Sequence, residues 1–263
     1  MPFTLAHPAA VLPLRRLPLL RMVPLIIGAM TPDVPYYFPS RISDLIPDAT
    51  HTALGTLTVD LPMGLSLLLL VWLLRAPLAA PLGPGPRAKC LTALERFGSR
   101  PLNWVLAPLS ILIGTWTHIA WDSFTHSDGW LVGRIPALSA PVSIFSYTGE
   151  LCHVLQYVSS VFGIVVVAIW FILLPRPASA QVPGNDERSA AGPALLAALL
   201  VAAAVAGPLE TGLRLGWHFP GAYRLFYLLL TRTIAWFAAL YTLAGIVIVY
   251  GRRRTAVASV TQV

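Results

Sequence analysis

The chain has 263 residues, 56% hydrophobic and 11% charged, with a formal net charge of +7. An ordinary soluble domain is roughly 25% charged. This composition, with a mean hydropathy of +0.72, excludes a disordered chain, a secreted disulfide scaffold and most cytosolic enzymes. It points to an all-α, polytopic membrane helical bundle of about six segments in one domain.

The first apolar stretch, 8–31, is punctuated by Pro13, Pro18 and Pro24 and carries Arg15, Arg16 and Arg21. It reads as one span or as a hairpin, in which 8–16 run inward and 18–31 return. The hairpin is preferred because it places the prolines and the Arg pair at the bend. The charges follow the apolar residues instead of preceding them, so a cleavable signal is not expected. Apolar segments then follow at 52–74, 102–125, 151–174, 190–209 and 225–250, each long enough to cross a hydrocarbon core of about 30 Å as a helix. Two of them carry an internal ionisable residue, Asp60 and Arg232. A lone charge in lipid is costly, and Arg232 is expected to pair with Asp60 or Glu210. The Pro/Gly-rich, basic stretches 75–100 and 175–189 read as cytoplasmic linkers.

Lys89 is the only Lys among 18 basic residues. If the segments alternate, Arg15, Arg16, Arg21, Arg75, Arg87, Lys89, Arg96, Arg100, Arg176, Arg188 and Arg252 to Arg254 share one face. Arg41, Arg134, Arg214 and Arg224 fall on the other. The positive-inside rule makes the first face cytoplasmic, with the C-terminus inside. Topology thus accounts for the basic balance, and no nucleic-acid partner is expected. Cys90 and Cys152 fall on opposite faces and make neither a disulfide nor a metal knuckle. Trp72, Trp104, Trp130 and Trp217, with Tyr36, Tyr37, Tyr147, Tyr223 and Tyr227, sit near segment ends as an aromatic belt.

The six histidines are few enough to weigh singly. THIAWDSFTH (117–126) puts His118 and Asp122 one helical turn apart on one face, with His126 a further turn along and about 80° around. A histidine and a carboxylate at this spacing suit metal ligation; the plainer alternative is a polar cap on a membrane helix. Asp33 (MTPDVPYY), His51 (HTALG), Glu150 and His153 fall at the same, extracytoplasmic ends of their segments, and the hairpin brings His7 there too. Asp60, nine residues after His51, faces about 180° away from it on an ideal helix. Gln156, Tyr157 and Ser160 read as polar packing. No phosphate loop, GxSxG elbow or CxxC occurs.

Taken together, MPFTLAHPAAVLPLRR, GAMTPDVPYYF, HTALGTLTVDLP and THIAWDSFTH resemble the bacterial membrane proteins grouped as domain of unknown function 4184. That resemblance covers most of the chain and implies a multi-pass protein of the bacterial inner (plasma) membrane. The order His7, Asp33, His51, His118, Asp122 is more distantly similar to the YdjM-type membrane-bound metal-dependent hydrolases and to zinc-dependent phospholipase C. That similarity implies convergence of these residues on a divalent metal. The PDxDH doublet of the former is missing, since Val34 and Pro35 follow Asp33. A helical HxxxE of the latter is missing too, with Glu150 and His153 in reversed order. A single or binuclear site is therefore expected instead of a larger zinc cluster.

Two functions follow from these readings. One is a metal-dependent hydrolase, with zinc the first candidate ion. Its metal ligands would be His7, Asp33, His51, His118 and Asp122, with His126 or Asp128 as general base or outer support. Its substrate would be a membrane lipid, a lipid-linked phosphate or another ester, with 126–150 as a cover. The other is a non-enzymatic transporter or assembly factor. The sequence specifies neither the substrate nor the oligomeric state.

Overall fold

In the computed structural model, residues 4–38, 47–144, 147–177, 191–216 and 221–260 are described. Among the described residues the structure is mainly helical, with one short antiparallel hairpin. The principal helices are α1 (Pro8–Val11), α2 (Met22–Met30), α3 (Leu61–Leu73), α4 (Arg75–Ala79), α5 (Pro84–Gly98), α6 (Ala107–Thr125), α7 (Leu151–Leu173), α8 (Ala191–Leu215) and α9 (Ala222–Val260). The hairpin pairs β1 (Pro141–Ile144) with β2 (Tyr147–Glu150), Pro141 opposite Glu150. It lies within the stretch expected as a cover over the site.

Among the described residues four helices are long and apolar enough to cross a membrane: Ala53–Leu73, Leu151–Leu173, Gly192–Leu215 and Arg224–Gly251. Their large apolar side chains point outward, as with Phe162, Ile172 and Leu173, the last 75% exposed. Apolar exposure on that scale is what lipid, not water, accommodates. The 102–125 segment, expected as a span, is not among the four. It breaks at Leu106, before Pro108, into Pro101–Val105 and α6. Toward its C-terminal end, from Thr115 on, α6 carries Thr115, Thr117, His118, Asp122, Ser123 and Thr125. Residues 75–100, expected as a linker, form two helices; Pro84 and Pro86 open α5, where proline lacks no needed N–H. Beyond Pro177 the second expected linker lies outside the described residues.

The chain divides into two compact units. The first comprises Met1–Pro35, Asp44–Leu69 and Phe97–Leu174 and is built around α6. Arg21 donates its backbone N–H to Ser110 Oγ at 2.9 Å and its Nε–H to Asn103 Oδ1 at 2.6 Å, near the start of α6. His7 and Asp33 meet the other end of that helix. Residues 7–21 therefore run along α6 one way and 22–33 return, which is the course of a hairpin. The return leg crosses α6 with almost no room. A Cβ on Gly28 would strike the Ile111 carbonyl, and one on Gly114 would strike the Leu25 carbonyl. Two glycines facing each other let the backbones approach this closely. Thr115 Oγ1 ties the crossing by donating to Gly28 O at 3.2 Å.

The second unit comprises Tyr36–Ser43, Leu70–Arg96 and Pro175–Val263. Arg87, buried, satisfies the carbonyls left at the end of α4, donating to Ala80 O at 2.6 Å and Leu82 O at 2.9 Å. Such carbonyls lack partners within their own helix. Tyr241 on α9 donates to Leu78 O at 2.6 Å. The pairing expected of Arg232 does not form. Its guanidinium donates to Tyr36 O at 3.2 Å, while Glu210 is held by Arg214 at 2.6 Å and the Trp236 indole N–H at 2.7 Å. A carbonyl supplies what a buried guanidinium needs, and an arginine one turn away supplies Glu210. Asp60, in the first unit, is fully buried with no hydrogen-bond partner for either carboxylate oxygen.

Candidate metal centre

Four chain segments deliver side chains to one end of α6. His118 and Asp122 come from α6 itself, with His118 Nε2 3.2 Å from Asp122 Oδ2. Asp33 sits in the tight turn that follows α2, and His51 just ahead of Thr52, whose hydroxyl caps the next helical turn by accepting from Gly55 N. His7 caps the start of α1. Asp33, His51, His118 and Asp122 each offer one ligand atom, all within 4.8 Å of one another.

Asp122 is the hub. Its Oδ2 lies 3.5 Å from His51 Nε2, and its Oδ1 lies 3.6 Å from His7 Nε2 and 3.7 Å from His126 Nδ1. Asp33 Oδ1 is 3.6 Å from His118 Nε2. The His7 and His118 rings stack, centroids 3.7 Å apart and planes 22° apart. His118, His7 and Asp33 are almost wholly buried, while His51 and His126 are 28% and 25% exposed at their side chains. The group thus opens to its surroundings past His51 and His126.

The orientation of His118 is fixed from behind. Its Nδ1 meets the Ala29 carbonyl at 2.8 Å, so Nδ1 carries a proton and donates it, and Nε2 turns inward. The Gly28–Gly114 crossing brings that carbonyl within reach. Thr4 donates its hydroxyl to Asp33 Oδ2 at 2.7 Å, which leaves Oδ1 facing His118. Burial, and then the adjacent His118, push the His7 imidazole from 6.5 down to about 3, so this ring is neutral. Burial also lowers His126, against the pull of Asp122.

Several atoms of the group make no hydrogen bond. Both ring nitrogens of His7, Nε2 of His118 and Oδ1 of Asp122 are buried without a hydrogen bond. The separations explain why. Hydrogen bonds to carboxylate need about 2.7–2.9 Å, whereas most of these pairs stand at 3.5–3.7 Å. Two ligands of one tetrahedral ion, each about 2.1 Å from it, stand about 3.4 Å apart. Two carboxylates among the imidazoles also carry negative charge that a divalent cation balances. The donor set fits such an ion.

Of the other candidate residues, His126 joins the group from beyond the helix, and Asp128, Glu150 and His153 fall elsewhere. Asp128 is exposed in the turn beyond α6 and bears on the group only through its charge on His126. His126 is not on the helix: α6 stops at Thr125, and His126 is extended with φ −114° and ψ 141°. Its side chain folds back to Asp122 from there. Glu150 and His153 gather with Cys152 in a separate local group at the start of α7, where the Cys152 thiol donates to Glu150 Oε2 at 3.4 Å. Two contributors were not expected at the site: Thr4, behind Asp33, and Gln156, read from the sequence as polar packing and buried on α7 with Nε2 3.2 Å from His126 Nε2.

No curated protein and no solved structure matches this chain, so its likeness to the YdjM-type hydrolases and zinc-dependent phospholipase C stands on residue order alone. A family model described as Domain of unknown function (DUF4184) matches residues 1–250, and the chain belongs to that family.

Proposed function

We propose that this protein is a metal-dependent hydrolase of the bacterial inner membrane, acting at the extracytoplasmic boundary on a lipid, a lipid-linked phosphate or another ester. The observation that carries the reading is the spacing of the buried donors on Asp122. They stand too far apart to bond one another, are partly orphaned and are separated like ligands of a shared ion. Imidazole nitrogen and carboxylate oxygen in a four-coordinate arrangement favour zinc. When bound, such an ion supplies Lewis acidity and an activated water.

The chain's own residues would do the rest. Asp33 and Asp122 bring the negative charge, and the buried His7 and His118 offer ring nitrogens to the ion. His51 and His126 line the exposed side from which a substrate arrives, and His126 is within reach of a proton released there. Asp128, exposed in the turn beyond α6, acts on the group through its charge on His126. The alternative, a transporter or assembly factor, drew on an intramembrane charge pair. Arg232 and Glu210 instead make bonds that hold the second unit together.

The test is elemental analysis of detergent-purified protein beside a His118→Ala, Asp122→Ala double variant, with hydrolysis of phosphoesters and phospholipid vesicles measured in parallel. Stoichiometric metal and hydrolysis, both lost in the variant, are expected. Equal and negligible metal in the two proteins overturns the hydrolase reading and leaves the non-enzymatic one.

A further inference from the structure

Asp122 does not present its two oxygens to the same imidazoles. Oδ2 faces His118 and His51, at 3.2 and 3.5 Å. Oδ1 faces His7 and His126, at 3.6 and 3.7 Å. The donors therefore form two sets, one on each side of a single carboxylate. We propose that the site holds two divalent cations bridged by Asp122: one on Asp33, His51, His118 and Oδ2, the other on His7, His126 and Oδ1. The inference rests on the metal reading above and deepens it.

Three further observations point the same way. The stacked rings of His7 and His118 are 3.7 Å apart and nearly parallel, and each aims its Nε2 at a different oxygen of Asp122. Parallel ligands at that distance serve two ions about 3.5–4 Å apart, the spacing of two-metal hydrolytic sites. A single ion on Asp33, His51, His118 and Oδ2 is already four-coordinate, which leaves Oδ1 and His7 Nε2 orphaned in a buried place. Orphans of that kind are uncommon in native proteins, and a second cation satisfies both at once.

The third observation is at Gln156. His126 Nδ1 lies 3.3 Å from the Asp122 backbone carbonyl; ligation through Nδ1 exchanges that contact for the ion and moves the ring's proton to Nε2, next to the Gln156 side-chain amide at 3.2 Å. With the amide turned so that its oxygen faces the ring, at no steric cost, Gln156 accepts that proton and fixes the tautomer. His126 then serves as a ligand instead of the base.

Charge also narrows the substrate. Two divalent ions against Asp33 and Asp122 leave a net positive site, which an anionic phosphoester neutralises and a neutral carboxylic ester does not. Phosphoester hydrolysis is thus the favoured activity.

The experiment titrates metal-stripped protein with Zn²⁺ and measures bound metal per chain after desalting. The proposal expects two equivalents in the wild type and one in both His126→Gln and His7→Gln/His126→Gln. His126 is partly exposed at a helix end, so the single variant keeps the test alive if the double variant misfolds. One equivalent in the wild type overturns the pair and leaves the single-ion hydrolase. None overturns both readings. Two equivalents retained in His126→Gln overturn the assignment of the second set. As a second readout, the paramagnetic signal of Mn²⁺ added at one equivalent should weaken per ion at two, through coupling across Asp122. A signal that simply doubles overturns the bridge.

Discussion

Thr4 shows how much of a site depends on a residue that touches no ligand. Its hydroxyl occupies Oδ2 of Asp33 and leaves Oδ1 for the centre. Thr4→Val keeps the shape and removes the bond, and is expected to weaken metal binding about 10- to 100-fold, as loss of such outer partners does. A competitive chelator titration measures this, and unchanged affinity would show that Asp33 is positioned by its turn alone. His7 gives a pH prediction. Burial depresses its pKa from 6.5 to about 3, so the unfolded chain takes up a proton that the folded, metal-free protein refuses. The contribution of His7 to stability is therefore complete above about pH 6.5 and is lost as pH falls toward 3. Melting temperatures of metal-free protein across that window should fall less steeply in His7→Gln than in wild type. The histidines and aspartates were legible in the sequence because an ionisable group in so apolar a chain needs a reason. Thr4 and Gln156 were not, because an uncharged polar side chain on a helix looks the same whether it packs or supports a ligand.

The close crossing of α2 and α6 links packing to the site. Gly114 lies against the Leu25 carbonyl, and one turn further on His118 bonds the Ala29 carbonyl. Gly114→Ala must push the helices apart, at a cost of about 1–3 kcal/mol for an overpacked core. The same displacement lengthens the bond that sets His118, so thermal midpoint and metal affinity should fall together. A fall in stability with affinity intact would uncouple the crossing from the site. Asp60 is the opposite case, a buried carboxylate with no partner in the helical turn that leads into α3. Asp60→Asn removes a buried carboxylate that makes no hydrogen bond, a costly group in an apolar setting, and is expected to raise the thermal midpoint while leaving metal content unchanged. Lost metal would instead place Asp60 in the centre. The segments themselves were legible from uninterrupted apolar length. Their interruptions were less so. The break at Leu106 follows from Pro108, but the helicity of 75–100 was masked by prolines that turn out to start a helix instead of ending one.

At the scale of the molecule, the geometry of the first unit makes membrane sidedness testable. The donors gather at the C-terminal end of α6, and Arg21 is anchored near its start. A helix of 19 residues is about 28 Å long, close to the thickness of the hydrocarbon core. If α6 stands across the membrane, the two ends face different compartments, and the basic residues Arg15, Arg16, Arg21 and Arg100 assign the start of α6 to the cytoplasm. Two exposed positions report on the two ends: Ser127, one residue past His126, and Leu102, before α6. With Cys90 and Cys152 replaced by serine, Ser127→Cys should react with a membrane-impermeant maleimide in intact cells. Leu102→Cys should react only after permeabilisation. The reverse pattern would put the centre in the cytoplasm and remove the extracytoplasmic lipid-linked phosphates from its candidate substrates. Labelling of both positions from outside would mean that α6 lies along the boundary instead of crossing it. In that case the polar C-terminal half of α6, which sets this helix apart from the four long apolar ones, would reflect a surface position, and the hairpin of residues 7–33 would be a lid on the membrane instead of a plug within it.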